Sequence, residues 1–472
     1  MKGKLLKLAV LLIIIFSLII SSCPELENNV YGEVTLSPSS LSYSAWYNFL
    51  YYEVYNESRY VHLDLSNIPV VGTYTANPGS AFFSHTHHGK TFNIFNALPW
   101  LTTDIYFSDA EKERIRIAKG KIISITLPRT ATMIDYGAGP SASAFRDFTN
   151  LRSVRGEGIE IIGDYAFYGL KNLREVSFPY AGGGIGGISV PPEAHPTSDA
   201  QVTPANGYFE HIGTFAFAGC SSLTTINFPF ARIIALGAFQ DCTSLTEISD
   251  SAFSSVWRIN NAAFKGCTKL TTVTFRSVTK IGIEAFANCT SLRTAKFLAN
   301  PDRLPGFDAE FPDDYYPLQP FLDNPSTTTP VTYDSIIFNP RAFIGCTSLN
   351  ELDVSNAWNV YFAAGSLASI GRSLTMRLFD HDDTYNADNR RSYGHPQTDD
   401  FLGHRSGGIS ETTRTIESIT FILPPVSALS TTSRFLYYPD RSLGPPSSDA
   451  VAPINRDINT RYSGQVATSI VR

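Results

Sequence analysis

This sequence is poor in charge, in sulfur and in long apolar runs. Charged residues make up 17% of 472, and only six Cys, three Met and four Trp occur. Acidic side chains outnumber Lys and Arg by 43 to 37, and the basic residues never gather in a block. A mildly acidic chain without a basic patch is excluded as a nucleic-acid or anionic-lipid binder. Beyond residue 23 no apolar stretch approaches the length, roughly 18 residues, that crosses a bilayer as a helix. Gly-x-Ser-x-Gly, His-Glu-x-x-His and the phosphate-cradling Gly-x-x-x-x-Gly-Lys are all missing. Cys-x-x-Cys is missing too, which removes the usual zinc spacing. The expectation is a protein that is no enzyme, carries no cofactor or metal and takes no small-molecule substrate.

The one long apolar run is at the start. Lys2, Lys4 and Lys7 precede Leu8 to Ile20, which is interrupted only by Ser17, and Ser21-Ser22-Cys23 follows. A basic segment, a short apolar core and small residues at a cut form an export signal. The small-small-Cys ending resembles the lipobox of bacterial lipoproteins. That resemblance implies cleavage before Cys23 and lipid attachment on its thiol. An ordinary secretory signal with a chance Cys is the alternative. Residues 1–22 are then a signal peptide and 23–30 a tether. The rest of the chain is expected outside the cytoplasm, lipid-anchored at the outer membrane and cell surface. Loss of the three lysines leaves 34 basic against 43 acidic side chains, a net charge of about −9.

The strongest feature is a repeat. Ala-Phe-x-x-Cys-x-x-Leu-x-x-Ile-x-Phe occurs at Ala216-Phe217/Cys220/Leu223/Ile226/Phe228 and again, with variation, from Ala238, Ala263, Ala285 and Ala342. Degenerate copies start at Ala144 and Ala166, with Phe148 and Leu170 in the Cys slot. The steps Phe145–Phe167, Phe217–Phe239 and Phe264–Phe286 are each 22 residues. Ile and Phe two apart share one face of a strand. Apolar groups spaced by three suit a turn of helix or a 3₁₀ segment laid against it. Pairs such as Ile162-Gly163, Ile212-Gly213, Leu236-Gly237 and Ile281-Gly282 open most copies, and the glycine is read as permitting a tight corner. Pro179 and Pro229 end their strands.

A period near 22 is that of leucine-rich repeats. The strings resemble the BspA-like leucine-rich-repeat family of bacterial surface proteins. The resemblance implies a solenoid of short parallel strands with helical or 3₁₀ turns, and adhesion to host or matrix proteins or to other bacteria. Five of the six Cys occupy the same slot. That regularity is unlike a disulfide framework and is read as a column of small buried hydrophobes.

The array is expected over 122–358, with insertions at about 180–208 and 299–335 that leave its continuity open. Residues 31–121 read as an N-terminal cap, 359–426 as a C-terminal cap and 427–472 as a loosely ordered Ser/Thr/Pro-rich tail. Tyr60–Leu65, Lys121–Pro128 and Thr415–Phe421 read as strands. The Gly182–Gly187 run matches Gly-x-Gly-x-x-Gly, but Pro191-Pro192 forbids the helix that a dinucleotide needs, so it reads as a loop. His85, His87 and His88 sit close enough together for a metal site, but a solvated loop is the commoner reading; Asp380, Asp382 and Asp383 do not match the spacing of a calcium loop and also read as solvated.

The positions alternating with the buried slots are Glu175, Ser177, Thr225, Asn227, Glu247, Thr272, Thr274, Thr294, Lys296, Glu351 and Asp353. They are the candidate binding residues for another protein, on the host or bacterial surface. Two other readings stand beside this one: a structural envelope lipoprotein without a host ligand, and a hydrolase with its site in the flanks.

Overall fold

The structure, a computed structural model, describes residues 32–70, 72–75, 91–97, 107–135, 139–179, 212–231, 233–298, 335–355, 359–378, 397–398, 416–422 and 466–471. Cys23, the three histidines at 85–88, the glycine run, both insertions apart from Ser335, and the acidic segments at 380–383 and 399–400 lie outside them.

Each repeat is one coil with two strand positions. The Leu-x-x-Ile-x-Phe segments pair in parallel to form a first ladder. It comprises a five-stranded sheet from Glu33–Leu36 to Glu175–Ser177 and a seven-stranded sheet from Glu247–Ile248 to Ala467–Val471. A bridge from Glu175 to Thr225 extends the first sheet into the next coil. The Ile-Gly segments form a second ladder, with Ile212 bridging Ile162 to Ile234. Parallel strands need long connections between them, and one coil supplies that connection.

The core lies between the ladders. Phe145, Phe167, Phe217, Phe239, Phe264, Phe286 and Phe343 form one column of near-parallel rings. Their centroids are 4.7–5.3 Å apart and their planes within 11°. Neither insertion interrupts the column. Phe167 meets Phe217 at 4.9 Å across the first, and Phe286 meets Phe343 at 5.3 Å across the second. The array is therefore continuous where the sequence left this open.

The thiols form the adjacent column. Cys220, Cys242, Cys267, Cys289 and Cys346 are buried and free. Each sulfhydryl donates to the Phe carbonyl of the preceding coil, at 3.0–3.2 Å. Cys fits this slot because it is small, apolar and still able to satisfy a buried carbonyl. Burial pushes the Cys220, Cys242, Cys267 and Cys289 thiols far up, so they stay protonated.

The segment between the ladders is a run of turns closed by bonds such as Ala216 N–H to Gly213 O and Cys220 N–H to Phe217 O. It does not continue as a helix. From the Phe167 coil to the Phe343 coil two residues per coil take left-handed φ, at Phe−2 and Phe+2, among them Tyr165 and Gly169, Phe215 and Gly219, and Glu284 and Asn288. This corrects the reading of the glycines. Gly213 and Gly282 have no left-handed φ, and an added Cβ would collide with the backbone of the preceding coil, at Gly163-Asp164 and Asn260-Asn261. They permit close coil-to-coil approach. Gly237 is a different position, at φ 59°, and the coil's true Ile-Gly equivalent is Ile234-Ala235.

The ladders also run past 122–358. Glu33–Leu36 and Tyr60–Asp64 are the first two rungs inside the region read as a cap, and Tyr60–Asp64 pairs onward with Ile122–Thr126. At the other end Ser373–Arg377, Ser418–Ile422 and Ala467–Val471 pair in parallel. The last of these lies in the segment read as a loose tail. Alternating burial, as in Ser373–Arg377 and Ser418–Ile422, places such rungs without the Ala-Phe string. The true cap is helical. Trp46, Phe49, Leu50 and Val54, on Tyr43–Asn48 and the π-helical turn Phe49–Val54, close the first coil. Helix Asp109–Gly120, with a Ser108–Glu111 capping box, packs beside them.

Candidate binding surface

A strand inside a solenoid offers every second side chain to the outside. On the first ladder these side chains line up in rows, because the register is kept from coil to coil within each run from Ser124 to Thr225 and from Glu247 to Arg377; a shift at Val61/His62 precedes them. Glu247 faces Thr272, then Thr294, Glu351 and Thr375. The neighbouring row runs Thr274, Lys296, Asp353, Arg377. Nearer the N-terminus Ser124, Ser153, Glu175 and Thr225 continue the pattern. All eleven candidate residues lie on this face. Glu175, Ser177, Thr225, Asn227 and Glu247 are exposed, and Thr272, Thr274, Thr294, Lys296, Glu351 and Asp353 are half-buried.

The face is hydroxyl-rich, and two of its carboxylates, Glu175 and Glu351, are paired within it. Arg377 bonds Glu351 at 3.1 Å, Arg155 approaches Glu175 at 3.7 Å, and Thr294 Oγ1 donates to Glu351 at 3.4 Å. Paired charges in solvent add little to stability, so they do not explain the face by folding alone. Arg174 and Arg293, exposed immediately before their strands, add a cationic border that the sequence pattern missed. They follow the Leu of the motif by one, a position with no apolar periodicity to mark it.

The second ladder is different. Its first outward positions Met133, Ile161 and Ile233 are buried, while Ile134, Ile162 and Ile234 beside them enter the core; further along, the same row passes to half-buried Arg258, Lys280 and Ile337. A cavity of about 270 Å³ on that side, lined by Arg258, Lys280, Asn260, Asn261 and Ile283 among others, is smaller than ordinary small-molecule sites of roughly 300–1,000 Å³.

One constellation on the first ladder has the residue types of nucleophilic catalysis. His62 Nδ1 lies 2.6 Å from Ser124 Oγ, and its Nε2 lies 2.8 Å from Glu33 Oε2. The three stand on successive rungs of an open strand surface. Neighbouring amides of Val61 and Leu65 are bonded to the Lys121 and Thr126 carbonyls, at 2.9 Å each. Acyl transfer needs free donors aimed at an oxyanion and a site that excludes water. The geometry here gives a hydrogen-bonded crosslink between rungs. Among the described residues no three or more His, Cys, Asp or Glu gather as a metal site, and no helix is long and apolar enough to cross a membrane.

Six copies of a BspA-type leucine-rich-repeat region match residues 140–186 and 202–305. Among solved structures, the chain is similar to a leucine-rich repeat protein of T. pallidum, at 20% identity over 37% of this chain and 72% of that one, TM-score 0.27. It is also similar to a leucine-rich cell surface protein of Faecalibacterium prausnitzii, at 20% identity over 63% and 81%, TM-score 0.23. A third is the pneumococcal vaccine antigen PcpA, at 14% identity over 74% and 80%, TM-score 0.28. A search of curated proteins finds no match.

Proposed function

We propose that this chain, whose solenoid carries BspA-type leucine-rich repeats, is a lipid-anchored surface protein that binds another protein through the outward face of its first ladder. One observation carries the reading: the first ladder's outward rows are hydroxyl-rich along their length, whereas the second ladder's row starts with the buried Met133, Ile161 and Ile233 and only then passes to half-buried Arg258 and Lys280. Rows of short side chains on a rigid scaffold can meet a broad partner at low cost in side-chain ordering. The resemblance to bacterial surface repeats supports a partner on a host or neighbouring cell. Lipid on Cys23 would hold the array at the outer membrane, with two or more acyl chains giving firm attachment.

The test is capture from host-cell and matrix extracts by the processed chain, with Thr225→Arg and Thr272→Arg together as the face variant. A specific captured protein lost in the variant is expected. Equal capture by both forms would remove the face from the account. Protease digestion on intact cells separates surface display from an inward-facing envelope role.

A further inference from the structure

The second ladder and the turn that follows it enclose the cavity of about 270 Å³ described above. Arg258 and Lys280 line it from directly paired positions on neighbouring rungs. Like charges on paired positions cost stability, and an anion held between them lowers that cost. Asn261 and Asn339 line the same cavity. Asn261 Oδ1 accepts from the Ile283 N–H at 2.8 Å, which leaves its amide N–H groups to donate. Asn339 Nδ2 donates to the Ile281 carbonyl at 2.8 Å, which leaves its Oδ1 to accept. Leu236, 40% exposed, forms an apolar wall. It is held from behind by Phe215, whose N–H donates to the Leu236 carbonyl at 2.8 Å and whose ring fills the space a Cβ on Gly237 would need.

Size and chemistry together select the ligand class. A cavity of roughly 150 Å³ takes one benzene-sized ring. This one is too small for a drug-sized molecule, yet it admits a single six-membered sugar ring whose neighbours in a chain lie outside. A guanidinium and an ammonium side by side recognise a carboxylate through charge-assisted hydrogen bonds. Sugar hydroxyls both donate and accept, so they match the remaining Asn261 donors and the Asn339 acceptor. An apolar wall with a few convergent polar groups is the usual make-up of a ligand site. We infer that this cavity binds a carboxylate-bearing sugar unit of a glycan, with Arg258 and Lys280 on the carboxylate and Asn261 and Asn339 on the hydroxyls. Two cations in a chain of net charge −6 do not draw in a densely sulfated polymer. One carboxylate per sugar is the charge they fit. The site lies on the other ladder from the protein-binding face proposed above and does not depend on it.

The test is titration calorimetry of the full processed chain with three acidic sugars: hyaluronan, polygalacturonate and sialyllactose. At least one is expected to bind, and its neutral methyl ester is expected not to. Arg258→Ala with Lys280→Ala should weaken that binding about 10–100-fold, the loss that goes with a charge-assisted hydrogen bond. Asn261→Asp keeps the oxygen that accepts from Ile283, so the urea midpoint should hold, while the added charge repels the carboxylate and binding falls about tenfold or more. The first-ladder variant Thr225→Arg with Thr272→Arg should bind the sugar as the parent chain does, which separates this site from the protein-binding face. Binding of none of the three sugars overturns the inference. So does affinity unchanged in the Arg258 and Lys280 double variant. Equal affinity for a polyglutamate peptide also overturns it, since the cavity would then be a site for acidic protein segments.

Discussion

Glu284 shows how single residues tie coils together here. It sits at φ 56° and reaches in two directions, accepting from Lys265 at 2.8 Å and from Arg341 at 2.8 Å. Three coils are thereby linked through one carboxylate. The Lys265 hydrogen bond, with smaller help from the charges of Lys265 and Arg341, holds its pKa below the ordinary 4.5 despite partial burial. A folded pKa below the unfolded one adds stability that is fully present above pH 4.5 and is lost as pH falls through the folded value. Glu284→Gln should therefore flatten the acid side of a plot of urea midpoint against pH, with little change in its slope above pH 5. An unchanged acid limb would remove this carboxylate from the account. The glycines make a second residue-scale prediction. Gly282→Ala drives a methyl into the Asn260-Asn261 backbone and should cost about 1–3 kcal/mol, the usual range for overpacking. Denaturant midpoints read this directly. The Ile-Gly pair was legible in the sequence, but its reason was not. Crowding between coils leaves no local trace, and the true left-handed positions are filled by residues as unlike as Tyr165, Phe215, Ala262, Glu284 and Arg341.

At the scale of one coil, the 25-residue step from Phe239 to Phe264 is instructive. Its copy of the motif has Asp250 where a second ring is due. Phe253, three residues later, supplies that ring. It lies 6.1 Å from Phe228 and 6.0 Å from Phe275, in the row that Phe275 and Phe297 continue at 5.9 Å. The extra three residues bulge outward, and Asp250 ends near the surface, paired with Arg276. Phe253→Ala should then cost as much as Phe275→Ala, about 3–5 kcal/mol for a core ring. A loss under about 1 kcal/mol, ordinary for a surface site, would place Phe253 outside the core. The first two rungs and the last three illustrate the opposite case. They have no Ala-Phe-x-x-Cys string, and only their alternation of apolar and polar residues marks them as strands. That signal fits any half-buried strand: it marked Tyr60–Asp64 and Ser418–Ile422 as strands without assigning them to the array, and it was too weak to mark Glu33–Leu36, Ser373–Arg377 and Ala467–Val471 at all. The motif copies were legible because their slots touch the same slots above and below.

For the whole molecule, the central claim is one unbroken stack through both insertions. The buried thiols make it testable from outside. Their enclosure predicts no reaction with a thiol disulfide reagent in native buffer and reaction of all five in guanidinium; fast native labelling would show that the column is open. Surface cysteines can then be labelled selectively. Candidate binding residues were legible as strand positions, whereas their union into one face required the register, which no single coil contains. The most direct measurement labels Thr294→Cys and Glu351→Cys with pyrene. These positions are 57 residues apart in sequence but directly paired across the second insertion. Stacked coils put the two labels about one strand spacing, ~4.8 Å, apart, and the doubly labelled protein should show strong excimer emission that singly labelled chains lack. Monomer emission alone in the folded, doubly labelled protein would mean that the array breaks there, and the row of candidate binding residues with it.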